Sequence, residues 1–420
     1  MQTKNIKSYC GGITGQPLVL AVAFVLLTAC AQGQAPRNSV VYEGARLIVG
    51  NGAVIENGMF TVSNSEITAV GEIGAYTVPE AATRVNLAGM TVMPAIVDAH
   101  THMTTSRDTL IEDLQRRAYF GVGAAISMGS DGPDAPLDLR DETIPGTARF
   151  LSAGHGIVGP EPGRRVVHWV GTEEEAREAV RIEAARNVNL IKVWVDDRDD
   201  QFVKLTPEIY GAVIEEAHAQ GLKVAAHIFD LEDGKGLLRA GVDIFAHGVR
   251  DQDIDDEFLQ LVRENPDVVL IPNLPGRGVA IDPSWLTGSI PNEELAALRA
   301  GEDNSQAKVA FGIQSRNLAR LNIAGMTIAM GTDGNTPWAP HTEMEDMVIS
   351  GMTPGEVIVA ATKNSADALG LTDMGTIEVG KSADFIVLSA NPLENIKNTR
   401  RISRVYLRGE QVDRAALMTR

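Results

Sequence analysis

Two histidines separated by one residue follow an apolar run early in the sequence. His100 and His102 close the segment VMPAIVDAHTH, in which Asp98 lies two residues before the first histidine. In a β-strand, residues two apart point to the same face, so both imidazoles can reach one point. Such a pair can hold a metal ion, but histidine pairs are also common on protein surfaces. The histidine pair alone is therefore compatible with two interpretations, a metal site and an ordinary surface pair.

Four further polar residues lie in or directly after apolar segments. His227 ends VAAH, His247 ends FAH, Asp333 ends MGTD, and Lys192 lies inside IKVWV. A buried ammonium without a partner is costly, so Lys192 is expected to have a shifted pKa, a partner or a covalent modification. Unrelated core residues would each need a separate partner at the end of a strand. One shared site at the carboxyl ends of several strands is the more economical interpretation.

The elements that would position these residues alternate between apolar strands and helical patterns. Several strands are apolar on both faces, as strands covered by helices are. The strand candidates are residues 92–99, 122–128, 148–153, 190–195, 223–228, 244–246, 268–274 and 328–331. Eight β/α units predict an α/β fold, a (β/α)8 TIM barrel over residues 94–373.

Short β-type runs with glycine-rich turns occupy both ends of the sequence. They cover residues 40–93 and residues 374–413, with turn signals such as Asn51-Gly52 between them. Neither group has enough strands to bury a face alone. We therefore expect one small β-sandwich domain built from both chain ends.

These motifs resemble those of the amidohydrolase superfamily of metal-dependent hydrolases. The resemblance rests on VMPAIVDAH at the barrel entry and GKSADF near the end, and IKVWV is similar to the imidazolonepropionase-like and prolidase-like branch. It implies two divalent metal ions, bridged by a carboxylated Lys192. His100, His102 and Asp333 would hold the inner ion, and His227 and His247 the outer. Such ligands suit zinc, and manganese or cobalt would also fit.

The resemblance also implies a mechanism and a reaction class. Two metal ions would hold a hydroxide that attacks a carbonyl, and Asp333 would be the catalytic residue that passes a proton to the leaving group. The expected enzyme hydrolyses amide bonds in an N-acyl amino acid, a small peptide or a cyclic amide. The alternatives are an esterase or lactonase on the same binuclear site, and a non-catalytic binding protein on a decayed barrel.

Substrate contacts are expected from the loops that follow the strands. Phe229 stands where many prolidase-like relatives have a tyrosine, and a phenyl ring cannot hydrogen-bond a carboxylate. The second strand, AISM, also lacks an Arg-Asp pair that is often present there. Both departures point to a substrate less charged than a dipeptide. The candidate substrate-binding residues are His155, Arg164, Phe229, Arg277, Trp338 and His341.

Composition and charge narrow the class of protein. Of 420 residues, 44% are hydrophobic and 22% are charged, which excludes a long disordered chain and a fibrous repeat. The net charge of −18 repels phosphate backbones, so we expect a small-molecule substrate and no nucleic-acid partner. Two cysteines cannot form a disulfide scaffold. A homo-oligomer is left open.

The first thirty residues are typical of an export signal. Lys4 and Lys7 precede the apolar run of residues 18–27, which is too short to span a bilayer. The following LTAC resembles a lipobox, so Cys30 could carry a lipid anchor; simple cleavage is the alternative. Residues 1–30 are therefore read as a signal peptide and residues 31–39 as a tether. The expected location is the periplasm or the outer membrane as a lipoprotein, and otherwise secretion.

Overall fold

The computed structural model describes residues 39–103, 106–132 and 136–418. The predicted signal peptide, Cys30 and nearly all of the tether lie outside these residues. Within them, no helix has both the length and the apolar character needed to cross a membrane.

The described strands run in chain order from the small sheet, through the parallel strands, and back to the small sheet. They are β1 (Val40–Ile48), β2 (Val54–Ser63), β3 (Glu66–Glu72), β4 (Thr83–Asn86), β5 (Thr91–Pro94), β6 (Ile96–Thr101), β7 (Val122–Ser127), β8 (Arg149–Ser152), β9 (Ile157–Val158), β10 (His168–Trp169), β11 (Ile191–Val195), β12 (Val224–Ile228), β13 (Ile244–Ala246), β14 (Val269–Ile271), β15 (Thr327–Ile328), β16 (Phe385–Leu388), β17 (Ile402–Leu407) and β18 (Glu410–Gln411).

Helices follow most of the parallel strands. They are α1 (Arg107–Tyr119), α2 (Glu173–Ala185), α3 (Pro207–Ala219), α4 (Leu231–Ala240), α5 (Asp256–Glu264), α6 (Asn292–Arg299), α7 (Ser305–Ile323), α8 (Pro340–Ile349), α9 (Pro354–Val359), α10 (Ser365–Ala368) and α11 (Arg414–Leu417). Short 3-10 helices cover Leu137–Asp141, Ser284–Leu286 and Ile396–Arg400, and a π-helical turn, Ala360–Asn364, separates α9 from α10.

The architecture is mixed α/β, with two parallel sheets and one mixed sheet. The first parallel sheet has the order β6-β7-β8, and the second has the order β10-β9-β11-β12-β13-β14-β15. Backbone hydrogen bonds also join the two sheets: Ala99 N–H donates to the Met330 carbonyl at 2.9 Å, and Asn189 N–H donates to the Ser152 carbonyl at 2.9 Å. Each of the eight predicted strand segments overlaps one of the strands in these sheets, but 92–99 covers β6 only in part and 328–331 shares a single residue with β15.

The two chain ends meet in a single eight-stranded sheet. Its order is β18-β17-β16-β5-β1-β2-β3, with β4 paired to β1. The junction is the antiparallel pair of β5 and β16, in which Met93 lies opposite Ile386. The sequence predicts one β-sandwich built from both chain ends, and in the described residues hydrogen bonds join the strands of both ends into one sheet. Tyr42, Phe60 and Phe385 pack in its core, with ring centroids 4.9–5.0 Å apart.

Alternation along the strands decides which residues face the helices. In β12, Val224, Ala226 and Ile228 belong to the main core that includes helix residues, while Ala225 belongs to a second core of strand residues. His227, two residues after Ala225, therefore shares the second face. The same alternation places Lys192 of β11 on the face of Leu190, a member of the second core. The strand pattern thus directs both polar residues away from the helices.

Candidate active site

Three histidines converge on the carboxylate of Asp333. His102 Nε2 lies 3.1 Å and His100 Nε2 lies 3.3 Å from Asp333 Oδ1, and His247 Nε2 lies 3.4 Å from Asp333 Oδ2. The ring centroid of His227 is 4.7 Å from that of His247, so the fourth imidazole adjoins this group. His100, His102 and Asp333 offer ligand atoms that all lie within 4.8 Å of one another.

Unusual backbone conformations turn some of these residues into the site. Strand alternation would place His247 on the same face as Phe245, which packs in the helix-side core. Its φ of +133° breaks that alternation, and Asp333 and Asn273 have φ values of +52° and +45°. Positive φ is uncommon for residues other than glycine, and such strain persists where surrounding structure maintains it. Strain at three residues of one site indicates a geometry kept for function.

A protein group fixes the orientation of three of the four imidazoles. His100 Nδ1 lies 2.9 Å from Asn273 Oδ1, His227 Nε2 lies 2.9 Å from Asp196 Oδ2, and His247 Nδ1 contacts the Arg250 guanidinium. In the first two rings the other nitrogen is left available for a ligand. Acceptor oxygens of this kind set the tautomer and direction of metal-binding imidazoles, which applies to the His100 and His227 rings.

Lys192 is buried among these groups. Its side chain has no exposed surface, and Nζ has no hydrogen-bond partner among the described residues. Gly129 packs directly on this side chain, since a Cβ there would lie 2.8 Å from Lys192 Cγ. Burial lowers the pKa of Lys192 to about 7, in spite of the nearby Asp333 charge. The amine is therefore available in its neutral form near neutral pH.

Electrostatics keep three of the four imidazoles neutral, those of His100, His227 and His247, and keep the carboxylate charged. Burial lowers the pKa of His100 and of His247 well below the usual histidine range, and lowers the pKa of His227 to about 4. Burial alone would raise the pKa of Asp333, but the hydrogen bond with His102 holds it below its usual range. Neutral imidazoles and an ionised carboxylate are the forms that bind divalent metal ions.

A buried ion pair anchors the chain on both sides of Asp333. Asp98 and Arg117 have fully buried side chains, with Arg117 Nη1 3.2 Å from Asp98 Oδ2. Asp98 also accepts a hydrogen bond from the Thr332 hydroxyl at 2.8 Å. Arg117 donates to the Gly334 carbonyl at 3.4 Å. These contacts hold the residues directly before and after Asp333 against β6 and α1.

The predicted substrate-binding residues do not share one position. Phe229 is 37% exposed directly after β12, next to the histidine cluster in sequence. Arg164 stacks over the ring of Trp194 at 3.8 Å and pairs with Glu161 at 3.1 Å. His155 belongs to a second cluster, with His168 Nε2 2.8 Å and His155 Nδ1 3.9 Å from the buried Glu183 carboxylate.

For His341 the prediction of a substrate contact is wrong. Its side chain is 1% exposed, Nδ1 lies 3.0 Å from the Thr399 hydroxyl, and Nε2 lies 2.9 Å from the Phe120 carbonyl. Both ring nitrogens are therefore used within the fold. Sequence proximity to Asp333 suggested the contact, but the residue lies in the first turn of α8, packed against other elements.

Arg277 and Trp338 also have contacts within the fold. Trp338 is 8% exposed and its indole N–H donates to Glu294 at 3.0 Å, so packing explains this side chain. Arg277 lies 3.1 Å from Glu345 and 3.0 Å from Asp346, at the edge of a cavity of about 500 Å³. The carboxylates therefore neutralise Arg277, and neither side chain has a described contact with the histidine cluster.

Several residues of the site were missed by sequence reasoning. Asp196 directly follows β11, Asn273 lies two residues after β14, and Arg250 lies three residues after His247. Their positions after strands were a signal that could have been used, because the loops at strand carboxyl ends form the sites of such folds.

Known proteins resemble this chain over most of its length. A model described as "Amidohydrolase family" matches residues 91–412. The chain is 26% identical to ochratoxinase of Aspergillus niger over 86% of this chain and 82% of that protein. It is 25% identical to imidazolonepropionase of Deinococcus radiodurans over 87% of this chain and 94% of that protein. A prolidase-like crystal structure from Bifidobacterium longum matches with a TM-score of 0.76 and 28% identity, over 91% of this chain and 99% of the other.

Proposed function

Because the chain belongs to the amidohydrolase family and is a hydrolase of carbon–nitrogen bonds, we propose that it cleaves amide bonds in small molecules at a binuclear metal site. The substrates would be N-acyl amino acids, small peptides or cyclic amides. One observation carries the proposal: three imidazoles converge on Asp333, and a buried amine without a partner belongs to the same group of residues.

The donor set of this site fits two divalent cations. His100 Nε2 and Lys192 Nζ are buried and have no hydrogen-bond partner among the described residues, so each needs a ligand to offset its loss of water. His100, His102 and Asp333 would hold one ion, and His227 and His247 the other. Lys192, carboxylated on its neutral amine, would bridge them. Imidazole and carboxylate ligands favour zinc, and manganese or cobalt would be accepted.

Asp333 is the residue we assign to proton transfer. The bound metal ions would supply an acidic water and polarise the substrate carbonyl. Asp333 is ionised at neutral pH, so its carboxylate can accept a proton from the attacking water. Passing that proton to the amide nitrogen makes the amine a competent leaving group. The contacts of Asp98 and Arg117 on either side hold Asp333 in place for both steps.

We also propose that eight strands of the two parallel sheets, β6 to β8 and β11 to β15, close into one barrel over residues 94–373. The hydrogen bonds from Ala99 to Met330 and from Asn189 to Ser152 support closure on both sides. A parallel bridge between Thr101 and Gly334 supports it further. Residues 40–93 and 374–413 would then form the accompanying β domain.

A matched pair of variants tests the function. Wild-type enzyme, purified with zinc, manganese or cobalt, is assayed against N-acyl amino acids, dipeptides and cyclic amides, each with an ester or lactone counterpart. We expect amide turnover, which Asp333→Asn lowers by about 10²- to 10⁴-fold. Asp303→Asn, a change at an exposed residue before α7, is the control and should retain activity. If the wild-type enzyme hydrolyses the esters but not the amides, the esterase alternative is favoured. If Asp333→Asn keeps the wild-type turnover of both amides and esters, the assignment of Asp333 to proton transfer is contradicted.

The location of the protein is a separate proposal. We propose export through residues 1–30, with lipid attachment at Cys30, supported by the apolar run of residues 18–27 and the LTAC motif. Metabolic labelling with a radioactive fatty acid tests this in the expressing cell. Wild-type protein should be labelled and the Cys30→Ser variant should not. If the wild-type protein is not labelled, lipid attachment is contradicted and simple secretion is the alternative.

A further inference from the structure

Arg250 lies in the loop after β13, three residues beyond His247. Its backbone N–H donates to the Phe229 carbonyl at 2.8 Å, which ties this loop to the loop that follows β12. Its guanidinium contacts His247 Nδ1. Arg250 thus contacts both the histidine cluster, through its side chain, and the residue that directly follows β12, through its backbone.

The guanidinium of Arg250 is not paired with a carboxylate of the described residues, although the charges of Asp333 and Asp196 act on it from beyond ion-pair distance. Among the described residues it forms no ion pair, and its Nε is buried without a hydrogen-bond partner. Other arginines near the loops differ: Arg164 pairs with Glu161, and Arg198 pairs with Asp196 at 2.9 Å. The neighbouring carboxylates are occupied, since Asp196 also binds His227.

A partly buried cation with free N–H groups is costly unless an anion binds it. The planar guanidinium presents paired donors that match a carboxylate, and such charge-assisted bonds are about twice as strong as neutral ones. An anion arriving here would lie beside the imidazole cluster. A substrate that carries a carboxylate close to its scissile amide meets that requirement.

We propose that Arg250 binds the carboxylate of the substrate, so that the enzyme selects N-acyl amino acids or peptides with a free carboxylate near the cleaved bond. This inference rests on the proposed function. It also revises the expectation drawn from Phe229: the phenyl ring supplies an apolar surface, and the carboxylate donor comes from the adjacent loop. The substrate is then charged, although Phe229 lacks a hydroxyl group.

Equilibrium binding tests the inference without turnover. Metal-loaded enzyme carrying Asp333→Asn is titrated with N-acetyl amino acids of apolar, basic and acidic side chains, each paired with its carboxamide. We expect at least one acid to bind about 10- to 100-fold more tightly than its carboxamide. Arg250→Gln should remove that preference by weakening the acid alone, and Arg250→Lys should retain part of it. Arg263→Gln, at an exposed position in α5, is the control.

Metal content and intact mass separate a role in recognition from a role in assembling the site. Arg250→Gln should keep the wild-type metal content and any mass of one carbon dioxide on Lys192. Equal weakening of acids and carboxamides, or loss of metal and of that mass, would overturn the inference, as would failure of every acid to bind. Arg250-dependent acid binding without hydrolysis of any amide by wild-type enzyme would contradict the proposed function instead.

Discussion

The buried pair of Asp98 and Arg117 offers a prediction whose size follows from its burial. Both side chains have no exposed surface, and their charged atoms are 3.2 Å apart. Arg117→Met leaves the Asp98 carboxylate buried with only the Thr332 contacts and a weak bond from the His100 N–H. Removing one partner of a buried pair costs about 3–5 kcal/mol, because the remaining charge is uncompensated. Arg117→Met should therefore lower the free energy of unfolding by about that amount.

A double-mutant cycle in urea provides the assay. The unfolding free energy is measured for wild type, Arg117→Met, Asp98→Asn and the double variant, with metal content held equal. The double variant buries no charge, so its loss should be smaller than the sum of the single losses by about 1–3 kcal/mol. Arg107→Met removes an exposed pair with Glu142 and should leave the urea midpoint near that of wild type. A single loss below about 1 kcal/mol, or simple additivity, would refute the reasoning.

Three further predictions concern pH, the bridge and an outer partner. Burial raises the pKa of Asp346 to about 7, above its unfolded value, so its contribution to stability is complete at acidic pH and is lost as pH rises through about 7. Asp346→Asn should make the free energy of unfolding, measured in urea at a series of pH values, fall less steeply with rising pH. The same slope in the variant and the wild type would contradict this role of Asp346. Lys192→Ala should lose paired metal binding by elemental analysis, and short carboxylic acids should restore part of the activity; a fully active alanine variant would refute the bridge. Asp196→Asn should weaken metal affinity about 10- to 100-fold in chelator competition, because His227 loses its orienting carboxylate; unchanged affinity would remove that role.

Local patterns in the sequence were sufficient to locate the parallel strands approximately. Each predicted parallel strand overlaps an observed one, because apolar runs between turn signals reflect burial on both faces.

Contacts that depend on loop paths could not be predicted in the same way. His341 follows Asp333 by only eight residues, yet the chain carries it into α8, where packing uses both its nitrogens. Arg250 and Asn273 meet the histidines because positive φ values and bonds between loops redirect the backbone. No spacing rule encodes such turns, since they result from tertiary packing.

The most direct test of the central claim is the metal stoichiometry of the protein purified without chelator, together with its intact mass under native and acidic conditions. The account predicts two divalent ions per chain and a mass of one carbon dioxide that acid removes and Lys192→Ala lacks. A chain that takes up no divalent ion at the concentrations used for activity, and whose mass is the same under both conditions, would contradict it.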